Sequence, residues 1–176
     1  MKTLHVVLAT LAVLLAVPTC WAQQKYSITE GPKSETKYLQ EHILDVGDRP
    51  GHQLRVYELR NTYPANDLEF AGVKVTESHV RGMSDYTNWS GSFTTYTVYS
   101  LEDGSQIFSR GTGTTQSKVG GDGKRQSFRF SFVETFVGGT KGFRGIRGQQ
   151  TGSGAREAGA NSLSQQQSAG EYWIEE

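Results

Sequence analysis

Cysteine is nearly missing from this chain of 176 residues, and its single copy, Cys20, stands in the first 22. That stretch has the make-up of a cleaved secretory leader: one early cation at Lys2, an apolar run from Val6 to Val17, and a small-residue stop at Ala22. Once it is removed, no cysteine is left. Disulfides, thiolate catalysis and cysteine metal ligation are then excluded together, although export would lead to a compartment where disulfides are allowed. Stability must come from packing. Histidine is scarce too, with His42, His52 and His79 beyond the leader and none in HxH or HExxH spacing, so no dedicated transition-metal site is expected. Net charge is also absent: Lys plus Arg and Asp plus Glu balance at 18 each. Losing Lys2 leaves one excess negative charge, which draws in neither nucleic acid nor anionic lipid. There is no Gly-x-Ser-x-Gly elbow for a serine hydrolase. The glycines around Thr140 and Lys141 lack the spacer of a phosphate-binding loop and lead into a strand rather than a helix.

The leader's apolar run is too short to cross a bilayer comfortably, so no membrane span is expected. Val17-Pro18-Thr19-Cys20 is a poor lipobox, and the expected location is the periplasm or the exterior. Residues 1–22 are therefore read as leader, 23–50 as a lead-in, and 51–176 as one domain.

Helix signals are scarce throughout. Stretches rich in Val, Thr, Tyr and Phe recur between Gly, Asp, Asn and Pro, which predicts seven or eight strands. The clearest are His52 to Arg60, Phe70 to Arg81, Gly91 to Leu101, Ile107 to Gly113, Ser127 to Phe136, Phe143 to Gln149 and Glu171 to Glu175. Asp103-Gly104 predicts a hairpin, and Val119 to Lys124 a flexible turn. Thr151 to Gln167, rich in Gly, Ser and Gln, reads as a loop, with a weak strand within it as the alternative. Many strands with short turns fit a sandwich or a closed antiparallel barrel. Gly139, Gly142, Gly145 and Gly148, three apart, favour the barrel because they allow sharp coiling and close backbone approach.

The richest segment is Ser127 to Phe136. As a strand it places Phe128, Phe130, Phe132, Glu134 and Phe136 on one face. Such a face belongs in a core or a ligand cavity, and it takes one carboxylate with it. An apolar surround penalises the charged form of Glu134, which suits a general acid or base. The same placement also fits a carboxylate neutralised by a neighbouring arginine. His79 shares a face with Glu77 and Arg81, giving either an acid, imidazole and cation around one pocket or a half-solvated strand face. Arg110 and Arg129 are candidates to pair with Glu134 or to clasp an anionic ligand group. Tyr96 and Tyr99, with Tyr57, Tyr86, Trp89, Tyr172 and Trp173, supply aromatic area with polar tips.

The run Phe136-Val137-Gly138-Gly139-Thr140-Lys141-Gly142-Phe143-Arg144-Gly145-Ile146-Arg147-Gly148 resembles the late hairpin of the allene oxide cyclase and dirigent proteins, small exported bacterial relatives included. There a phenylalanine-bearing strand ends in Gly-Gly-Thr-Gly, followed by Phe and a glycine-spaced strand. Lys141 stands where that family usually has glycine, which is displaced to Gly142. The resemblance covers about 20 residues and carries over no catalytic residue. It implies an eight-stranded antiparallel barrel with an apolar cavity, often a homo-oligomer such as a dimer or trimer, and no cofactor. In that family the cavity cyclises reactive fatty-acid epoxides or orients phenoxy radicals, and in related bacterial barrels it cyclises polyketides.

The expected fold is thus all-β, a single compact antiparallel barrel of about eight strands, of the allene oxide cyclase or lipocalin-like type. The expected function is binding of a small hydrophobic or aromatic ligand. The ligand-binding candidates are Arg81, Tyr96, Tyr99, Arg110, Phe128, Phe130, Phe132 and Phe136. The first alternative is a cofactor-free cyclase or isomerase with Glu134 and His79 as catalytic residues, and the second is a structural or interaction module.

Overall fold

A computed structural model describes residues 24–30, 35–63, 68–156 and 165–175. The leader read at 1–22 lies outside them. Ten strands follow in order: β1 (Lys25–Glu30), β2 (Glu35–Asp45), β3 (His52–Thr62), β4 (Glu69–Phe70), β5 (Val73–Thr87), β6 (Ser90–Leu101), β7 (Gln106–Val119), β8 (Arg125–Gly139), β9 (Ile146–Arg156) and β10 (Gln165–Ile174). One 3₁₀ turn, Lys141–Phe143, joins β8 to β9, and no α-helix occurs among the described residues. All pairings are antiparallel, in the order β1-β10-β9-β8-β7-β6-β5-β3-β2, with the short β4 added to the start of β5.

The hydrogen-bond ladder does not close, and ten strands stand where about eight were expected. The sheet is nevertheless rolled. Laid flat, eight strand spacings would separate β1 from β2 by roughly 38 Å. Yet the two are consecutive, and the five residue steps from Glu30 to Glu35 span at most about 18 Å. The edges must therefore approach each other, and side chains from eight strands do meet inside the roll.

Two expectations are corrected. The stretch 23–50, read as a lead-in, holds β1 and β2, and the described residues of the stretch read as a loop, 151–156 and 165–167, are strand. The second error has a steric cause. Gly152 and Gly154 lie opposite Phe132 and Phe130, and a Cβ at Gly152 would sit 2.4 Å from Phe132 Cζ. The small residues that imitate a loop are the floor beneath the aromatic ladder. Phe70 to Arg81 is likewise interrupted, because Ala71 (φ 48°) and Gly72 (φ 79°) form a tight turn between β4 and β5. The Asp103-Gly104 hairpin is present, with Gly104 at φ 74° and Leu101 N–H donating to Ser105 O.

One end of the roll is sealed by a hydrophobic plug. Phe70 from the β4 turn sits at its centre, with the rings of Tyr99, Phe136, Phe143 and Tyr172 at 5.2 to 6.4 Å. Ile28, Val75, Leu101, Ile107 and Ile146 complete it. Tyr172 hydroxyl accepts from Ala71 N–H at 2.5 Å, fastening the β4 turn to β10. Full burial of side chains this size supplies about 1.5 to 3 kcal/mol each.

Candidate functional site

Along β8 the alternation places Phe128, Phe130, Phe132, Glu134 and Phe136 inside, while Arg129, Ser131, Val133 and Thr135 are exposed. Burial deepens along this row. The first three rings are half-buried and stacked in sequence, with centroids 6.3 and 6.2 Å apart, whereas Glu134 is 5% exposed and Phe136 fully enclosed. The inner face thus runs from a half-buried mouth lined with aromatic rings to a polar floor, with the hydrophobic plug beneath.

The floor is built around Glu134. Tyr99 hydroxyl donates to its Oε2 at 2.8 Å, Gln150 Nε2 donates to the same oxygen at 2.5 Å, and Ser109 hydroxyl donates to Oε1. These donors come from β6, β9 and β7, so one carboxylate ties four strands. The network runs on through Ser168, whose hydroxyl lies 3.0 Å from Gln150 Oε1 and 3.2 Å from Oε2 of the buried Glu30. Beside it, Tyr63 hydroxyl and Asn61 Nδ2 meet Ser78 Oγ at 2.9 and 3.1 Å. Burial, and then the negative charge of Glu134, holds the Tyr99 phenol protonated far above its ordinary range. Burial and Glu30 do the same for Tyr63.

The mouth is cationic and aromatic. Trp89, in the β5–β6 turn, has the Arg55 and Arg125 guanidiniums 4.7 and 5.0 Å from its ring. Arg125 and Arg156 lie 4.3 and 5.1 Å from Phe128. Arg55 also pairs with Glu41 of β2. On the walls, Tyr86 hydroxyl meets Thr115 Oγ1 at 2.8 Å across β6. Three buried polar atoms on the inner face have no hydrogen-bond partner among the described residues: Arg55 Nε, Ser84 Oγ and Gln166 Oε1.

The remaining candidates lie on the opposite face. His79 Nδ1 is 3.2 Å from Glu58 Oε1, with Glu77 at 3.4 Å on its other nitrogen, and Arg81 binds the same Glu58 oxygen at 2.8 Å. Tyr96 is exposed on that face, with Arg110 stacked on it at 5.0 Å. His79, Arg81, Tyr96 and Arg110 are therefore separated from Glu134 by the sheet, and neither Arg110 nor Arg129 reaches the carboxylate. A bulge between Val75 and Glu77 causes this: it turns Val75 inward and Glu77 and His79 outward, although an unbroken period of two puts all three together. The expected site divides into an inner set of Glu134, Tyr99 and the four phenylalanines, and an outer ion-pair cluster.

Sequence reasoning missed Ser109, Gln150, Arg55, Arg125 and Arg156. Gln150 borders the stretch taken for a loop, and the bulge between Ser127 and Arg125 places Arg125 over Phe128 despite its odd position. The outer face of β7 to β10 also has a shallow recess of about 700 Å³. Short side chains such as Thr112, Thr114, Ser131 and Thr151 line it, and no titratable group does. Among the described residues no group of three or more His, Cys, Asp or Glu is placed to hold a metal, and no helix is long and apolar enough to cross a membrane. The chain matches no protein-family model, no curated protein and no solved structure, so function has to be argued from this geometry.

Proposed function

We propose that the rolled sheet is a container for a small apolar or aromatic ligand, which enters over the Phe128, Phe130 and Phe132 stack and rests above the Glu134 floor. The observation that carries this reading is the half-buried ladder of three stacked rings, bordered by Arg55 Nε, Ser84 Oγ and Gln166 Oε1. Apolar walls with a few polar anchors are the usual make-up of a small-molecule site. Buried polar atoms without partners cost free energy that a ligand's polar groups can recover. The motif resemblance at Phe136 to Gly148 points the same way, toward a barrel whose cavity is the working part.

Catalysis ranks second. Both Glu134 oxygens already accept hydrogen bonds, which makes the carboxylate a fixed structural acceptor before it is an acid or base. The cyclase or isomerase reading needs a substrate to displace one of those donors. The test is fluorescence titration with N-phenylnaphthylamine, a neutral apolar probe. Wild type should bind it saturably, Phe130→Ala should weaken it several-fold, and Glu134→Gln should leave it almost unchanged. No saturable uptake by folded wild type refutes the container.

A further inference from the structure

We propose that Arg55, Arg125 and Arg156 form an anion-recognition site at the mouth of the recess, so that the ligand is an amphipathic organic anion: a carboxylate, sulfonate or phosphate head on a flat apolar body. This rests on the container reading and specifies the class of its ligand.

Three guanidiniums from β3, β8 and β9 gather around Trp89 and Phe128. Like charges repel, and Glu41 answers only Arg55. Among the described residues no carboxylate lies within ion-pair distance of Arg125 or Arg156. Among the described residues the cluster therefore carries positive charge in excess of its partners, in a chain whose total charge is balanced. Arg55 Nε, buried and without a hydrogen-bond partner, leaves one donor of the planar fork open. The backbone adds an independent sign. Trp89 is held at φ 65° beside Asn88 at φ 51°, a region costly for a bulky side chain. That turn presents the indole between two guanidiniums, and a planar cation fork stacked on aromatic rings is preorganised to receive an oxyanion edge-on. Burial, with Arg156 and Arg55 nearby, lowers the proton affinity of Arg125 against the opposing pull of the Tyr38 hydroxyl. An incoming anion would relieve that cost. Below the head site, the stacked phenylalanines supply a flat apolar surface for the rest of the molecule.

The test uses two probes of nearly the same aromatic body, anilinonaphthalene sulfonate and neutral N-phenylnaphthylamine, titrated into wild type and the Arg125→Gln/Arg156→Gln double variant. The sulfonate should bind wild type more tightly than the neutral probe. The double variant should lose sulfonate affinity by about tenfold or more, and wild-type binding should weaken with added salt, while neutral-probe binding stays put and certifies the fold. Equal binding of both probes, or sulfonate affinity indifferent to the two substitutions, overturns the anion site and leaves the container standing. Sulfonate binding that depends on the arginines without any neutral uptake supports the anion site and overturns the apolar container. Binding of neither probe overturns both.

Discussion

Tyr99 and Glu134 share a 2.8 Å hydrogen bond although the strand between theirs separates them. Tyr99 is on β6 and Glu134 on β8, and the residue of β7 directly opposite Glu134 is Gly111. Tyr99 lies opposite Ile107 of the same strand, so phenol and carboxylate meet across β7 beside Ser109, which supplies a second donor. The buried carboxylate thus acts as a clasp across the sheet. Glu134→Ala should leave the Tyr99, Ser109 and Gln150 donors buried without an acceptor and destabilise the fold by about 3 kcal/mol or more. Glu134→Gln keeps the shape and one acceptor and should cost clearly less. Urea unfolding of both variants decides it, and equal, small losses would refute the clasp.

The same clasp sets an alkaline limit. Tyr63 and Tyr99 have phenol pKa values raised well above 10, by burial first and then by Glu30 and Glu134 respectively. A raised folded value means that the folded state holds its protons more tightly. This stabilisation is fully present below the unfolded tyrosine value of about 10 and is lost as pH rises toward the folded one. Urea midpoints should fall above about pH 10, and tyrosinate absorbance should show these phenols ionising only as the protein unfolds. Full, reversible tyrosine ionisation with an unchanged midpoint would contradict this.

His52 gives a local pH effect of the same sign at lower pH. Its ring lies 2.5 Å from Asp48 and 2.8 Å from Asp85, and hydrogen bonding to these two carboxylates raises its pKa. The interaction is fully present below the unfolded histidine value of about 6.5 and is lost as pH rises through the raised folded value. In an NMR titration, Asp48→Asn should bring the His52 midpoint down. An unmoved midpoint would show that Asp48 does not set it.

Gly152 carries a steric prediction. A Cβ there would meet Phe132 Cζ at 2.4 Å and Ser168 Cβ at 2.7 Å. Gly152→Ala should therefore displace the Phe132 ring and cost about 1 to 3 kcal/mol in urea unfolding, with apolar-probe uptake reduced. Unchanged stability and uptake would show that the floor beneath the ladder is slack.

The inward face of β8 was legible because a strand's period of two is unbroken from Phe128 to Phe136, so Glu134 could be placed inside from residue types alone. The all-β class was legible for a similar reason, in the turn residues between β-forming runs. What escaped were the places where the period breaks. A bulge near Val75 sends His79 outside, and another beside Arg125 brings a cation in. The later part of β9 was read as loop because its glycines lie beneath rings on β8, a contact across the sheet that local composition does not encode. Arg55 was hidden differently: nothing in β3 alone says which arginine will find Trp89.

Among the described residues strand β1 pairs only with β10, and the Ser168 to Glu30 hydrogen bond spans 138 positions of sequence. The ladder thus joins the earliest strand to one of the latest, whereas β2 to β9 each pair with strands close to them in sequence. That long-range pairing brings Glu30 and Ser168 together at the polar floor, so the hydrogen-bond network around Glu134 draws on two stretches far apart in the chain.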